Sequence, residues 1–139
     1  MKKITFFIAL LITTIGFSQT NLEDFEGTPS IEAFEGLGSA TVKPNPSVDG
    51  NNGSANALEL VVAQAGNPWQ GVNVNMQSNY INATTPASQT VSVQVYSTVS
   101  FDMLARLAVG QSGAVDSAAD AAHTGSGWET LTFTFNENL

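Results

Sequence analysis

The chain has 139 residues, the size of one domain with a core of its own, and no cysteine, which excludes disulfides, thiol catalysis and thiolate metal sites. Four cations against twelve acids give a formal charge of −8. A surface this acidic repels phosphate backbones and anionic lipid, which argues against nucleic acid and membrane partners and suits a cation or a neutral polymer.

Lys2 and Lys3 form a basic start, residues 4–15 an apolar run, and Gly16-Phe17-Ser18 a small-residue cleavage signature. Residues 1–18 therefore read as a cleaved export signal. The apolar run is shorter than the ~18–20 residues a membrane span needs. Cleavage leaves Lys43 and Arg106 against the twelve acids, a charge near −10. The expected product is secreted and extracellular, with no membrane attachment once the signal is removed.

Residues 21–27 are an acidic lead-in with a first strand expected around Phe25 and Glu26, broken by Thr28-Pro29. Ile31, Ala33 and Phe34 suggest an edge piece. A brief strand at 40–43 stops at Pro44-Asn45-Pro46, and residues 44–54 carry turn chemistry without apolar periodicity. Residues 56–62 predict a strand with Leu58, Leu60 and Val62 on one face. Ala65-Gly66-Asn67-Pro68 turns the chain into a strand over 69–77, where Val72, Val74 and Met76 alternate with Asn73, Asn75 and Gln77. Residues 79–89 read as a loop.

The most regular stretch is 90–107. Val91, Val93 and Val95 alternate with Ser92, Gln94 and Tyr96, and Phe101, Met103, Ala105 and Leu107 alternate with Asp102, Leu104 and Arg106. A period of two gives each strand one buried and one available face. Residues 110–127 are ambiguous, because 117–123 has helix-forming composition but no stripe of large apolar side chains. The last strand, 129–135, places Leu131, Phe133 and Phe135 inward and Thr130, Thr132 and Thr134 outward. Short strands, frequent turns and little helix predict an all-β, antiparallel β-sandwich. The chain stops directly after a strong strand, so the sandwich, residues 19–139, is expected to be truncated at its C-terminus and to lack its last strands.

Several stretches in order carry a resemblance: Phe25-Glu26-Gly27, Thr41-Val42-Lys43-Pro44-Asn45-Pro46-Ser47, Ser54 with Ala57-Leu58, and Asn67-Pro68-Trp69-Gln70-Gly71-Val72. They continue with Ser92-Val93-Gln94-Val95-Tyr96-Ser97, Leu104-Ala105-Arg106-Leu107, and the run from Ala122-His123-Thr124-Gly125 through Gly127-Trp128-Glu129 to Phe133. Together they resemble the jelly-roll, galactose-binding-like carbohydrate-binding modules of secreted bacterial polysaccharide-degrading enzymes. The resemblance implies a jelly-roll sandwich, polysaccharide or oligosaccharide binding without catalysis, and a structural Ca2+ near the first strand. It also implies a strand at 118–124, against local helix propensity. The chain departs from the pattern in lacking the closing strands, which in such modules often end in paired aspartates. It also contains no catalytic domain of the kind such a module accompanies in a longer protein.

Sugar recognition needs flat aromatic surface for pyranose faces, with amides, carboxylates or guanidinium groups to fix hydroxyls. The candidates are Trp69, Asn73, Gln94, Tyr96 and Arg106. Trp69 reads equally as a core tryptophan capping the sandwich, and Arg106 as a partner of Asp102 or Glu59. Trp128, just before an apolar strand, reads as core. For Ca2+, the oxygen donors are Glu26, Asp49 and Asn51, although residues 49–53 alone read as a solvated turn. His123 is the single histidine, and no serine sits in a nucleophile elbow. Nothing in the spacing pairs Glu59 with Asp102 for glycoside hydrolysis. Catalysis is therefore not expected, and His123 reads as a surface or packing residue. The competing readings are a structural or adhesive spacer that binds no sugar and a lyase or hydrolase on the same scaffold.

Overall fold

The computed structural model describes residues 21–75, 90–107 and 117–135. The predicted export signal, the loop expected at 79–89 and the end of the strand expected at 69–77 lie outside the described residues. Eight strands follow in order: β1 (Ser30–Phe34), β2 (Ser39–Pro44), β3 (Asn56–Val61), β4 (Gly71–Asn75), β5 (Thr90–Ser97), β6 (Phe101–Leu107), β7 (Ser117–His123) and β8 (Gly127–Thr134). Among the described residues there is no helix, and every ladder is antiparallel: β1 with β4, β2 with β3, β5 with β8, and β6 with β7. The protein is an all-β, antiparallel sandwich.

The second half is one long hairpin bent at a corner. Leu107 faces Ser117 and Phe101 faces His123 along β6 and β7; Ser97 faces Gly127 and Thr90 faces Thr134 along β5 and β8. The same three-residue gap separates the ladders on both chains, so the register continues across the bend. Ser97 to Phe101 is an even step, which keeps one face of the ribbon inside on both arms. That face carries the core. Leu131, Phe133 and Phe135 are buried, and Val91, Val93, Val95, Met103, Ala105, Leu107, Ala119 and Ala121 pack against them. The strand β7 overrides the helix propensity of its alanines for this reason. As a strand it supplies Ala119 and Ala121 to the core and leaves Asp120 and Ala122 outside.

His123 pins the corner. It is 2 % exposed, and Phe101, its cross-strand partner, stacks on it with ring centroids 5.2 Å apart. Gly125 N–H donates to its Nδ1 at 2.9 Å, which places the ring proton on Nε2. Nε2 lies 3.1 Å from both the Val95 and the Gly127 carbonyl oxygens, so one shared donor spans the bend. Gly125 and Gly127 adopt φ of 90° and 99°, in the region that L side chains avoid.

The first half is also a bent hairpin, with β2–β3 as its inner ladder and β1–β4 as its outer one. Here the gaps differ, residues 35–38 on one side and 62–70 on the other, and the longer side forms a loop. Three expectations change. Phe25 and Glu26 form a bend and not a strand, because Phe25 sits at φ 58° and the Glu23 and Asp24 carboxylates accept from the N–H groups of Phe25 and Glu26. The strand predicted from residue 69 begins at Gly71, since Trp69 and Gln70 belong to a turn. Leu60 and Val62 are 40 % and 72 % exposed, so the inward face expected for them is not buried. All the buried apolar side chains among the described residues lie in the second half.

A methyl group added at Gly125 would sit 2.8 Å from Ser100 N and the Val99 carbonyl carbon, both backbone atoms that cannot rotate away. One added at Gly127 meets only a Tyr96 ring carbon at 3.9 Å. Both substitutions carry the backbone strain of about 1–2 kcal/mol. Gly125→Ala adds a backbone collision and is expected to destabilise clearly more than Gly127→Ala in urea unfolding. Equal losses would refute this account of the corner.

Candidate functional site

The outer face of β5 and β8 is a ladder of polar and aromatic pairs: Ser92 with Thr132, Gln94 with Thr130, and Tyr96 with Trp128. The Ser92 and Thr132 hydroxyls are 3.2 Å apart. Tyr96 meets Trp128 edge to face, with centroids 5.6 Å apart. Trp128 is therefore not in the core, as its sequence neighbours suggested. Its even position puts it opposite Leu131 and Phe133, half-buried, and its Nε1–H donates to Ser47 O at 2.7 Å.

That bond docks the loop over residues 45–54, which is held together by its own side chains. Asp49 Oδ1 accepts from the backbone N–H groups of Asn51 and Asn52 at 2.7 and 3.0 Å. Asn45 Oδ1 accepts from Ser47 N–H, and Asn52 Oδ1 from Ser54 N–H. Asn45 Nδ2 donates to Ser54 O at 2.9 Å across the loop. Short side chains that bond to neighbouring backbone explain why this Asn, Asp and Gly run folds without apolar content. Gln94 completes the docking by donating from Nε2 to Asn51 O at 2.5 Å.

The second cluster is the loop over 62–70. Gln70 N–H donates to Asn67 O at 3.0 Å, closing a four-residue turn with Pro68 and Trp69 at its centre. The Gln70 side chain acts as a short strand segment: Oε1 accepts from Ala63 N–H at 2.7 Å and Nε2 donates to Ala63 O at 2.9 Å. Asn67 is tied to β1's end, donating from its backbone to Glu35 O at 3.1 Å and from Nδ2 to Glu35 Oε2 at 2.5 Å. Trp69 is 65 % exposed on this braced turn, so it is not the core tryptophan its composition allowed.

The five candidate sugar-binding residues thus divide. Gln94 and Tyr96 lie beside the 45–54 loop, at one end of β2 and β3, while Trp69 sits on the loop at the other end. Six-residue strands place those ends ~20 Å apart. Asn73 is exposed on β4, paired with Glu32, on the same hairpin as Trp69. Arg106 is exposed near the far end of β6, paired with Ala118. Gln94, Tyr96 and Arg106 all remain at the surface.

The expected Ca2+ donors each take part in other hydrogen bonds. Glu26 accepts from Asn56 N–H and Asn56 Nδ2–H with its two oxygens, bracing the start of β3. Asp49 caps its own turn, and Asn51 O receives Gln94. Among the described residues no three His, Asp or Glu side chains gather closely enough to hold a metal ion.

Glu129 is the most strongly perturbed acid among the described residues. One of its oxygens accepts from Thr124 Oγ1–H at 2.6 Å, and the carboxylate also receives the backbone N–H groups of Thr124 and Ser126 and the Ser126 hydroxyl. These bonds, the Thr124 hydroxyl foremost, hold its pKa at about 2 against an ordinary 4.5, with desolvation opposing them. The carboxylate also lies 3.4 Å from His123 Nδ1. Nothing in the sequence pattern marked Glu129, Glu35 or Gln70. Their roles depend on partners 3–32 residues away, and only the Thr-Gly-Ser-Gly run beside Glu129 hinted at a turn needing an acceptor.

Searches against protein-family models, curated proteins and solved structures find no match to this chain.

Because the folded pKa of Glu129 is lowered, its ionised form stabilises the corner fully above pH ~4.5, and this contribution fades as pH falls towards 2. Glu129→Gln should melt below the wild type at pH 6, and the gap should close by pH 2. A gap independent of pH would show that the charge is not what Thr124 and Ser126 hold.

Proposed function

We propose that the protein is a non-catalytic glycan-binding module of an exported protein, a sandwich of the jelly-roll type that grips polysaccharide through an exposed aromatic side chain. The observation that carries this reading is Trp69, a large indole 65 % exposed at the tip of a turn braced by Asn67 and Gln70. An exposed tryptophan forfeits its own burial. Holding it on a rigid support lowers the entropy lost on binding a flat apolar partner such as a pyranose face. The residue composition agrees, being acidic, amide-rich and almost free of cations. Absence of catalysis is supported by His123, the single histidine, whose two ring nitrogens are both committed to the corner.

The outer face of β5 and β8 contributes less to this reading than Trp69 does. Its Gln94 amide and Trp128 indole are occupied in seating the 45–54 loop. Asn73 shares the hairpin of Trp69 and is the nearer candidate for hydroxyl contacts.

Affinity electrophoresis of the full chain against laminarin, xylan, agar, cellulose and alginate tests the reading. Trp69→Ala should weaken retention at least about tenfold, a loss of ~1.4 kcal/mol. The same substitution should change unfolding free energy by less than ~0.5 kcal/mol, as expected of a surface site. Undiminished retention, or no retention by the wild type on any of these polymers, would remove Trp69 from the site or the glycan from the proposal.

A further inference from the structure

Glu35 and Asn67 form a carboxylate–amide pair next to the Trp69 turn. Glu35 Oε2 accepts from Asn67 Nδ2, and the backbone bond from Asn67 N–H to Glu35 O fixes the two residues side by side. Glu35 is held at φ 53°, an unusual backbone state for a side chain of its size. Both side chains are exposed. Among the described residues Glu35 Oε1 and Asn67 Oδ1 accept from no donor, although each has capacity left. No Lys or Arg occurs between Lys43 and Arg106, so the turn carries no cation of its own, and the chain as a whole is strongly acidic.

Resting on the glycan-binding reading above, we infer that the Trp69 turn selects neutral glycans and rejects polyuronates, with Glu35 and Asn67 accepting hydrogen bonds from sugar hydroxyls. Hydroxyls donate to both open acceptors, and a bond to the carboxylate is of the stronger, charge-assisted kind. A uronate offers a carboxylate of its own to the same place. Two carboxylates brought together in a largely desolvated contact repel, and no guanidinium or ammonium group in this turn offsets them. The long-range field acts in the same direction, slowing the approach of any polyanion. Specificity therefore comes from the acid that braces the turn, while the indole supplies sequence-tolerant stacking to any pyranose.

The test runs neutral and anionic polymers side by side at low salt: laminarin, xylan and agarose against alginate and polygalacturonate. The expected result is retention on at least one neutral polymer and none on the polyuronates, with Glu35→Gln lowering neutral-glycan affinity by about tenfold. Retention on alginate or polygalacturonate equal to or above that on neutral glycans overturns the inference and leaves the glycan-binding reading standing. So does an unchanged affinity in a Glu35→Gln protein whose melting temperature matches the wild type. Retention on none of the five polymers overturns both.

Discussion

The structure depends on one constraint: a ribbon of two antiparallel chains must keep a single face inside while it turns back on itself. Alternation alone does this only if the bend consumes an even step, and the passage from Ser97 to Phe101 does. The bend would still expose backbone donors and acceptors at its inside edge. His123 meets that demand with one imidazole, receiving Gly125 N–H on one nitrogen and donating from the other to Val95 and Gly127. Phe101 covers the ring, and Glu129 gathers the remaining donors of Thr124 and Ser126. The phenylalanine core can then form because both arms arrive with the same side chains facing each other.

The same device, built differently, shapes the first hairpin. There the two chains differ in length at the bend, and the surplus becomes the 62–70 loop. Gln70 imitates a strand partner for Ala63, and Asn67 ties the loop to Glu35. The result is a rigid bracket with Trp69 at its tip. In both halves polar side chains substitute for missing backbone partners, which is how a chain with no disulfide keeps its corners in shape.

Strand alternation was legible wherever large apolar residues recur at every second position, as in Val91-Val93-Val95 and Leu131-Phe133-Phe135. It misled at Leu60 and Val62, where the pattern is present but no second layer of buried side chains among the described residues covers it. It was silent at Ser117–His123, because alanines carry too little surface to declare a face and their local preference is helical. The resemblance, and not periodicity, pointed to a strand there. Among the site residues, exposure of Gln94, Tyr96 and Arg106 followed from parity. Their separation from Trp69 did not, since it depends on which end of β2 and β3 each loop occupies. Trp128 was misplaced because adjacency to an apolar strand was read as membership of its core, although its parity is that of the threonines.

The side-chain hydrogen bonds described between the two hairpins run from Trp128 and Gln94 to carbonyls of the 45–54 loop. That seam is polar, while the buried apolar cluster belongs to one hairpin alone. Cooperativity should therefore break along it, with the first hairpin opening as a unit of lower free energy than the second. The two indoles of the chain divide the optical consequence between them. Trp128, half-buried at the seam, should redden when the hairpins part, whereas Trp69, already in water, should stay unchanged by the parting.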